Sequence, residues 1–262
     1  MRRRKMTKRE RRLVVWANVF IVTGFCVWYL GVAIFFVAEA RYVGWKFPMV
    51  KKTPTELTDL SVSQAPGRKL SYFGYEFEVP WSDLDEGKMK RVGKGQLIAF
   101  RSGNAILFSR AAPKEFVQTF LSTTKVDPDK VRNFWGKEAL ESDYSLHRLI
   151  LEATPGQVTL FTRREDAVRG AMLLVMKGIM MPRGGESGIF RVRTGKFQGF
   201  QYGDPQMRSN SLNVEIFAED GGLYFVFAQK GQGLSPAITQ AEINRVIQTV
   251  RKIPESGLSA SR

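Results

Sequence analysis

Apolar and polar positions divide this chain into two unlike parts. Residues 13–38 run for 26 positions without a charge, whereas from residue 71 onward the apolar residues recur in short alternating or helical patterns. A helix rises about 1.5 Å per residue, so about 20 residues cross a hydrocarbon core of about 30 Å. The first part therefore predicts one membrane-spanning helix. In SYFGYEFEVPW, Phe73, Tyr75, Phe77 and Val79 alternate with polar or small residues, which predicts a half-buried strand closed by Pro80. LIAFRSGNAILFSR predicts a hairpin turning at Ser102-Gly103-Asn104.

A helical block follows. Pro113 opens EFVQTFLS, Asp127-Pro128 reads as an N-cap and first-turn proline, and Ser142 can cap DYSLHRLILEA up to Thr154-Pro155-Gly156. Thr162 and Glu165 match a capping box ahead of EDAVRGAMLLVMKGIMM. After Pro182 the pattern returns to strands: IFRVRT, KFQGFQYG, LNVEIFAE and LYFVFAQ, with turns at Gly195, Asp204-Pro205 and Asp220-Gly221-Gly222. Short strands with tight connections predict antiparallel neighbours. Ser235-Pro236 then opens a last helix with the stripe Ile238, Ile243, Val246, Ile247 and Val250. The expected fold is α+β: an N-terminal transmembrane helix, then a mainly antiparallel sheet packed with helices. The organisation is a basic cytoplasmic tail (1–12), an anchor (13–38), a juxtamembrane linker (39–70), an extracytoplasmic α+β domain (71–253) and a loose tail (254–262).

YEFEVPW at the start of the domain, and NVEIFAEDGGLYFVFAQ leading into AEINRVIQTVRKI at its end, resemble the edges of Mog1/PsbP-like domains. That resemblance implies an antiparallel sheet packed between helices and a binding or assembly role. It transfers no catalytic residue, and the long helical block at 112–181 departs from the pattern.

Charge sharpens the picture of the first part. The net charge is +15, and residues 1–12 alone hold eight Arg or Lys against one Glu. A basic block set directly against an apolar span reads as a topology signal: the N-terminus stays cytoplasmic and the domain lies outside. Ala38-Glu39-Ala40 would suit signal cleavage, but a cleavable apolar region is about 7–15 residues long, so a retained anchor is expected. No aromatic-interleaved basic helix or groove marks a nucleic-acid surface. The one cysteine, Cys26, falls within the span, so the domain can form neither a disulfide nor a thiolate metal site. No Asn-x-Ser/Thr acceptor occurs, in keeping with a bacterial protein. Ala17, Gly24, Gly31 and Ala38 recur every seven residues, a seam of small side chains through which two copies could pair in the membrane.

Candidate chemistry is sparse. His147 is the single histidine; Asp143 lies one helical turn before it, close enough to raise its pKa. No Gly-x-Ser-x-Gly elbow supplies a nucleophile, so His147 reads as structural. Asp83, Asp85 and Glu86 could hold a hard cation or a metal–nucleotide, though a solvated acidic turn explains them as well. Met172, Met176 and Met180 share a helical face and read as core packing ahead of a partner groove or a copper site. PRGGESG and KGQGLS do not fit a phosphate loop. Arg191 and Arg193 share one strand face, with Lys196 beyond them, and could meet an acidic partner, a lipid headgroup or an anionic wall polymer, or form a solvated strand face. No cofactor or metal site is expected. These readings point to a non-catalytic, membrane-anchored binding or assembly module whose partners are the bilayer and an envelope protein. The alternative is an anchored metal-dependent transferase or hydrolase using the 83–86 carboxylates.

Overall fold

The computed structural model describes residues 8–125, 127–181, 188–195, 197–205, 211–229 and 238–254. The first element, α1 (Lys8–Lys46), is a single unbroken helix of 39 residues. A 3-10 turn at Pro48–Lys51 and the short β1 (Thr55–Glu56) follow. Next come β2 (Arg68–Tyr72), β3 (Tyr75–Val79), β4 (Lys90–Val92), β5 (Gly95–Ala99) and β6 (Asn104–Ala111). The helical block holds α2 (Glu115–Thr124), α3 (Pro128–Trp135), α4 (Asp143–Glu152) and α5 (Arg164–Met180). The chain then forms β7 (Ile189–Thr194), β8 (Phe197–Tyr202), β9 (Ser211–Ala218), β10 (Gly221–Gln229), α6 (Gln240–Gln248) and β11 (Arg251–Lys252).

Strands and helices thus form a mixed α+β fold. Its main sheet has the order β1-β7-β8-β9-β10-β6-β5-β4, antiparallel throughout except for the β1–β7 pair. A second sheet, β11-β3-β2, is antiparallel. The period-2 alternation of the strands sorts side chains to two faces. From β9, Leu212, Val214 and Ile216 enter a core closed by the small sheet and α6. In that core the rings of Phe77, Phe108 and Phe225 meet with centroids 4.7 to 5.4 Å apart. Phe217 of the same strand points the other way, with Phe200 and Tyr202, toward Leu151 of α4. The helices close a third cluster around Leu146, Ile150 and Leu174.

Local chemistry explains most boundaries. Asp127 accepts from the N–H of Asp129 at 2.9 Å with Pro128 in the first turn, and Ser142 accepts from Ser145 at 3.0 Å. Three boundaries differ from expectation. SYFGYEFEVPW is a hairpin rather than one strand, because Phe73 and Gly74 take φ values of 55° and 81° and turn the chain back. Tyr75, Phe77 and Val79 keep their shared buried face. Thr162 does not cap α5, since its hydroxyl instead accepts from the N–H of Thr159 at 2.9 Å. The last helix begins at a capping box of Thr239 and Glu242; residues 235–237 lie outside the described set.

The expected linker at 39–70 holds the end of α1, the 3-10 turn, β1 and the start of β2. Its otherwise irregular stretch is clamped to α6. Asn244 donates to the carbonyls of Asp59 and Ser61 at 2.8 Å each, and Arg245 donates to those of Ser63 and Ala65 and to Glu78.

Candidate functional site

The most informative surface lies where α1 meets the domain. Ala33, Ala40, Val43 and Gly44 are buried, with Phe36, Val37 and Phe47 half-buried between them. This three-to-four spacing is the contact stripe of an amphipathic helix. Phe36, Val37, Ala40 and Val43 enter the helical core beside Val158, Ala167, Leu173 and Leu174. Small residues permit the approach: a Cβ on Gly44 would lie 2.8 Å from the Pro155 ring, and one on Gly178 would lie 3.2 Å from Phe47.

These contacts fix the direction of packing. Phe47 meets Gly178, two residues before the end of α5. The buried residues that precede Phe47 can therefore meet α5 only earlier along its length, so the two helices run side by side in the same sense. Lys177 locks that end. Its Nζ is fully buried and donates to the carbonyls of Lys52, Leu151 and Ala153 at 2.6, 2.6 and 2.8 Å. Burial pushes its pKa down to about 8, so it still carries a proton at neutral pH. The charge faces the C-terminal carbonyls of α4, the end of a helix that favours a cation.

Before Ala33 the helix leaves the domain. Val15, Trp16, Val19, Phe20, Ile21, Val22 and Phe25 are all exposed, Phe20 at 72%. Ala17, Gly24, Gly31 and Ala38 are exposed too, and nothing lies within 4 Å of a Cβ built on Gly24 or Gly31. At 3.6 residues per turn that seam falls on the side of α1 opposite the docked stripe. Among the described residues no helix is long and apolar enough to cross a membrane. The expected span falls partly on positions 13, 14, 26–30 and 32, whose side chains lie outside the described set.

A second cluster lies sealed between α4 and the main sheet. The His147 Nδ1 is 2.7 Å from the carbonyl oxygen of Asp143, which can only accept, so Nδ1 carries the proton and Nε2 is left bare. Nε2 faces the Glu215 carboxyl at 3.4 Å, and the Tyr202 hydroxyl donates to that carboxyl at 3.1 Å. Burial pushes Glu215 up to about 7 and His147 down to about 4. The expectation that Asp143 would raise the His147 pKa is thus corrected. The contact is made by a backbone carbonyl, and desolvation outweighs it. The Asp143 carboxylate turns instead to the N–H of Val117 at 3.0 Å. His147 is 2% exposed, packed between Phe116 and Phe217, and open to no substrate. The cluster joins α4 to the main sheet.

The remaining candidates are dispersed. Asp83 accepts from the N–H of Ser102 at 2.6 Å, Asp85 pairs with Lys88, and Glu86 faces Arg68 at 3.6 Å. Among the described residues no three His, Cys, Asp or Glu side chains converge as metal ligands. Met176 and Met180 pack at the helical core, while Met172 is exposed. Arg191 bridges Glu56 at 3.3 Å and Glu152 at 2.9 Å, which ties β7 to β1 and α4. Arg193 is exposed, and Lys196 lies outside the described set. An open cleft of about 490 Å³ lies between Leu57, Phe190, Pro205 and Ile238, and its Asp59 and Thr239 serve local turns and caps.

Sequence reasoning missed Lys177 and Glu215. Lys177 was visible as the one cation inside AMLLVMKGIMM, and Glu215 as the one charge between Ser211 and Ala218. No family model, no curated protein and no solved structure matches this chain. The Mog1/PsbP-like resemblance therefore assigns it no site residue and no activity.

Proposed function

We propose that this protein is a single-pass, membrane-anchored binding or assembly module of a bacterial envelope. It is non-catalytic, with its N-terminus in the cytoplasm and its α+β domain on the far side. The observation that carries the reading is the division of α1 at Ala33. Residues 13–32, about 30 Å of helix, precede Ala33, the first buried position among the described residues, and that length matches the hydrocarbon core of a bilayer. Apart from Asn18 and Thr23, the exposed side chains described there are apolar or small, which suits lipid and not water. The basic residues ahead of the span favour the stated orientation.

In this reading the anchor is no loose tether. The helix that spans the bilayer runs on into the core of the domain, so height and orientation above the membrane are set by side-chain packing. A module held in this way presents one face to neighbours in the same membrane and raises their effective concentration. The small-residue seam lies away from the docked stripe, so two copies could pair through it without a clash between α5 and the partner helix. The partners are thus the bilayer, an envelope protein and, through the seam, a second copy.

The test is membrane extraction at alkaline pH, then intact mass and protease digestion from the outer side. A chain of undiminished mass that resists alkali and loses only its domain to external protease is expected. A soluble chain starting near Arg41 would overturn the anchor.

A further inference from the structure

We infer that the turn ahead of α5, residues 159–163, is a second membrane-contacting element that rests on the lipid surface beside α1. The inference depends on the anchor reading above and adds the orientation of the domain to it. Phe161 is 97% exposed and Leu160 44% exposed, so two large apolar side chains stand clear of the fold. The turn that presents them is well built: Thr162 bonds back to the N–H of Thr159 and to the carbonyl of Gln157, and Val158 behind it is fully packed.

Position supplies the occupant. α1 and α5 run side by side in the same sense, with Phe47 against Gly178. Arg164 lies as many residues before Gly178 as Ala33 lies before Phe47. The start of α5, and the turn ahead of it, are therefore level with the point where α1 leaves the domain. The segment leading there runs in the same direction. Ala153 is held by Lys177, Pro155 lies against Gly44 and Val158 against Gly170, so the chain descends along α5 toward its first turn. Ile34 and Phe35 are exposed on α1 at this level.

Charge limits the depth. Arg163, Arg164, Glu165 and Asp166 are exposed beside the turn, with Asp166 facing Arg169 at 3.8 Å, and Arg41 is exposed about two turns above. Such groups stay out of hydrocarbon, so only Leu160 and Phe161 enter the interface, while the two arginines meet lipid phosphates. Trp45 and Ile179, also exposed, lie at the opposite end of the paired helices, beyond Arg41.

The experiment is spin-label accessibility on the full chain in nanodiscs of phosphatidylglycerol and phosphatidylethanolamine, in a Cys26→Ser background. Single labels are placed at Ile21→Cys, Phe161→Cys and Lys69→Cys, and relaxation is compared with oxygen and with a water-soluble nickel chelate. The expected result is that the labels at 21 and 161 favour oxygen, 161 less deeply, while the label at 69 favours the chelate by several-fold. A label at 161 as open to the chelate as that at 69, with 21 still shielded, overturns this inference and leaves the anchor standing. Shielding of 161 from both reagents also overturns it, because a protein surface would then cover the turn. A label at 21 open to the chelate would instead overturn the anchor itself.

Discussion

At the scale of single residues the fold depends on polar groups that are buried with their partners. Between about pH 4 and pH 7 the folded Glu215–His147 pair holds one proton, on Glu215. Unfolded, the same two groups also hold one proton between about pH 4.5 and 6.5, but on the histidine. Proton counts match, so this pair contributes almost no pH dependence across that window. Substitution should uncover each half. Glu215→Gln leaves a histidine whose folded pKa is depressed, so its contribution is present above about 6.5 and lost as pH falls toward 4. Its unfolding free energy from urea titration, measured relative to the parent, should fall on acidification with a slope of up to about 1.4 kcal/mol per pH unit. His147→Gln leaves a carboxyl whose folded pKa is raised, so stability is lost in the opposite direction, as pH rises from about 4.5 through 7. Two flat profiles would refute the shared-proton account. Lys177 is a simpler case. Lys177→Met strands three buried carbonyls, and a loss of about 3 kcal/mol is expected in urea unfolding. A loss below about 1 kcal/mol would mean water replaces the ammonium.

At the scale of elements, the contact between α1 and α5 depends on two glycines that let backbone approach side chain. Gly44→Leu would drive a branched side chain into the Pro155 ring, where even a Cβ already falls at 2.8 Å. Overpacking of this kind costs about 1–3 kcal/mol. Hydrogen exchange should then quicken along residues 36–47 and the C-terminal half of α5, while α6 and the small sheet keep their protection. Uniform quickening would mean the two cores unfold as one. Most elements were legible in the sequence because their signals are local. Ile189–Thr194 has the bounds expected of it, Asp127-Pro128 and Ser142 cap as their chemistry predicts, and the four later strands pair antiparallel. What escaped was decided by contacts remote in sequence. The Phe73-Gly74 turn hid because Phe73 extends the odd-numbered apolar alternation of β3 back past it, although β2 carries the same face on even positions, Leu70 and Tyr72. Residues 39–47 lack strong amphipathic contrast, yet they are helical because Ala40, Val43 and Gly44 find a surface on α5 and Pro155. The meeting of His147, Glu215 and Tyr202 depends on how α4 crosses the sheet, which no spacing encodes.

At the scale of the whole molecule, α1 belongs to two environments. Before Ala33 the side chains described at 15–25 and 31 are exposed, whereas the half after it closes the helical core. A chain beginning at Ala33 should therefore keep the fold, because every buried position described in α1 is retained. A chain beginning at Pro48 should not. It would uncover Val158, Ala167, Leu173 and Leu174, which Phe36, Val37, Ala40 and Val43 now cover. At about 25 cal/mol per Å² of apolar area, those four side chains represent several kcal/mol, comparable to the total stability of a typical domain of about 5–15 kcal/mol. The shorter chain should aggregate or melt well below the longer one, and thermal unfolding monitored by the near-ultraviolet signal of Trp135 and its aromatic neighbours would separate the two. Equal melting temperatures would mean that residues 33–47 act as a linker after all. The domain would then swing freely on its anchor, and the fixed presentation proposed for it would have to be given up.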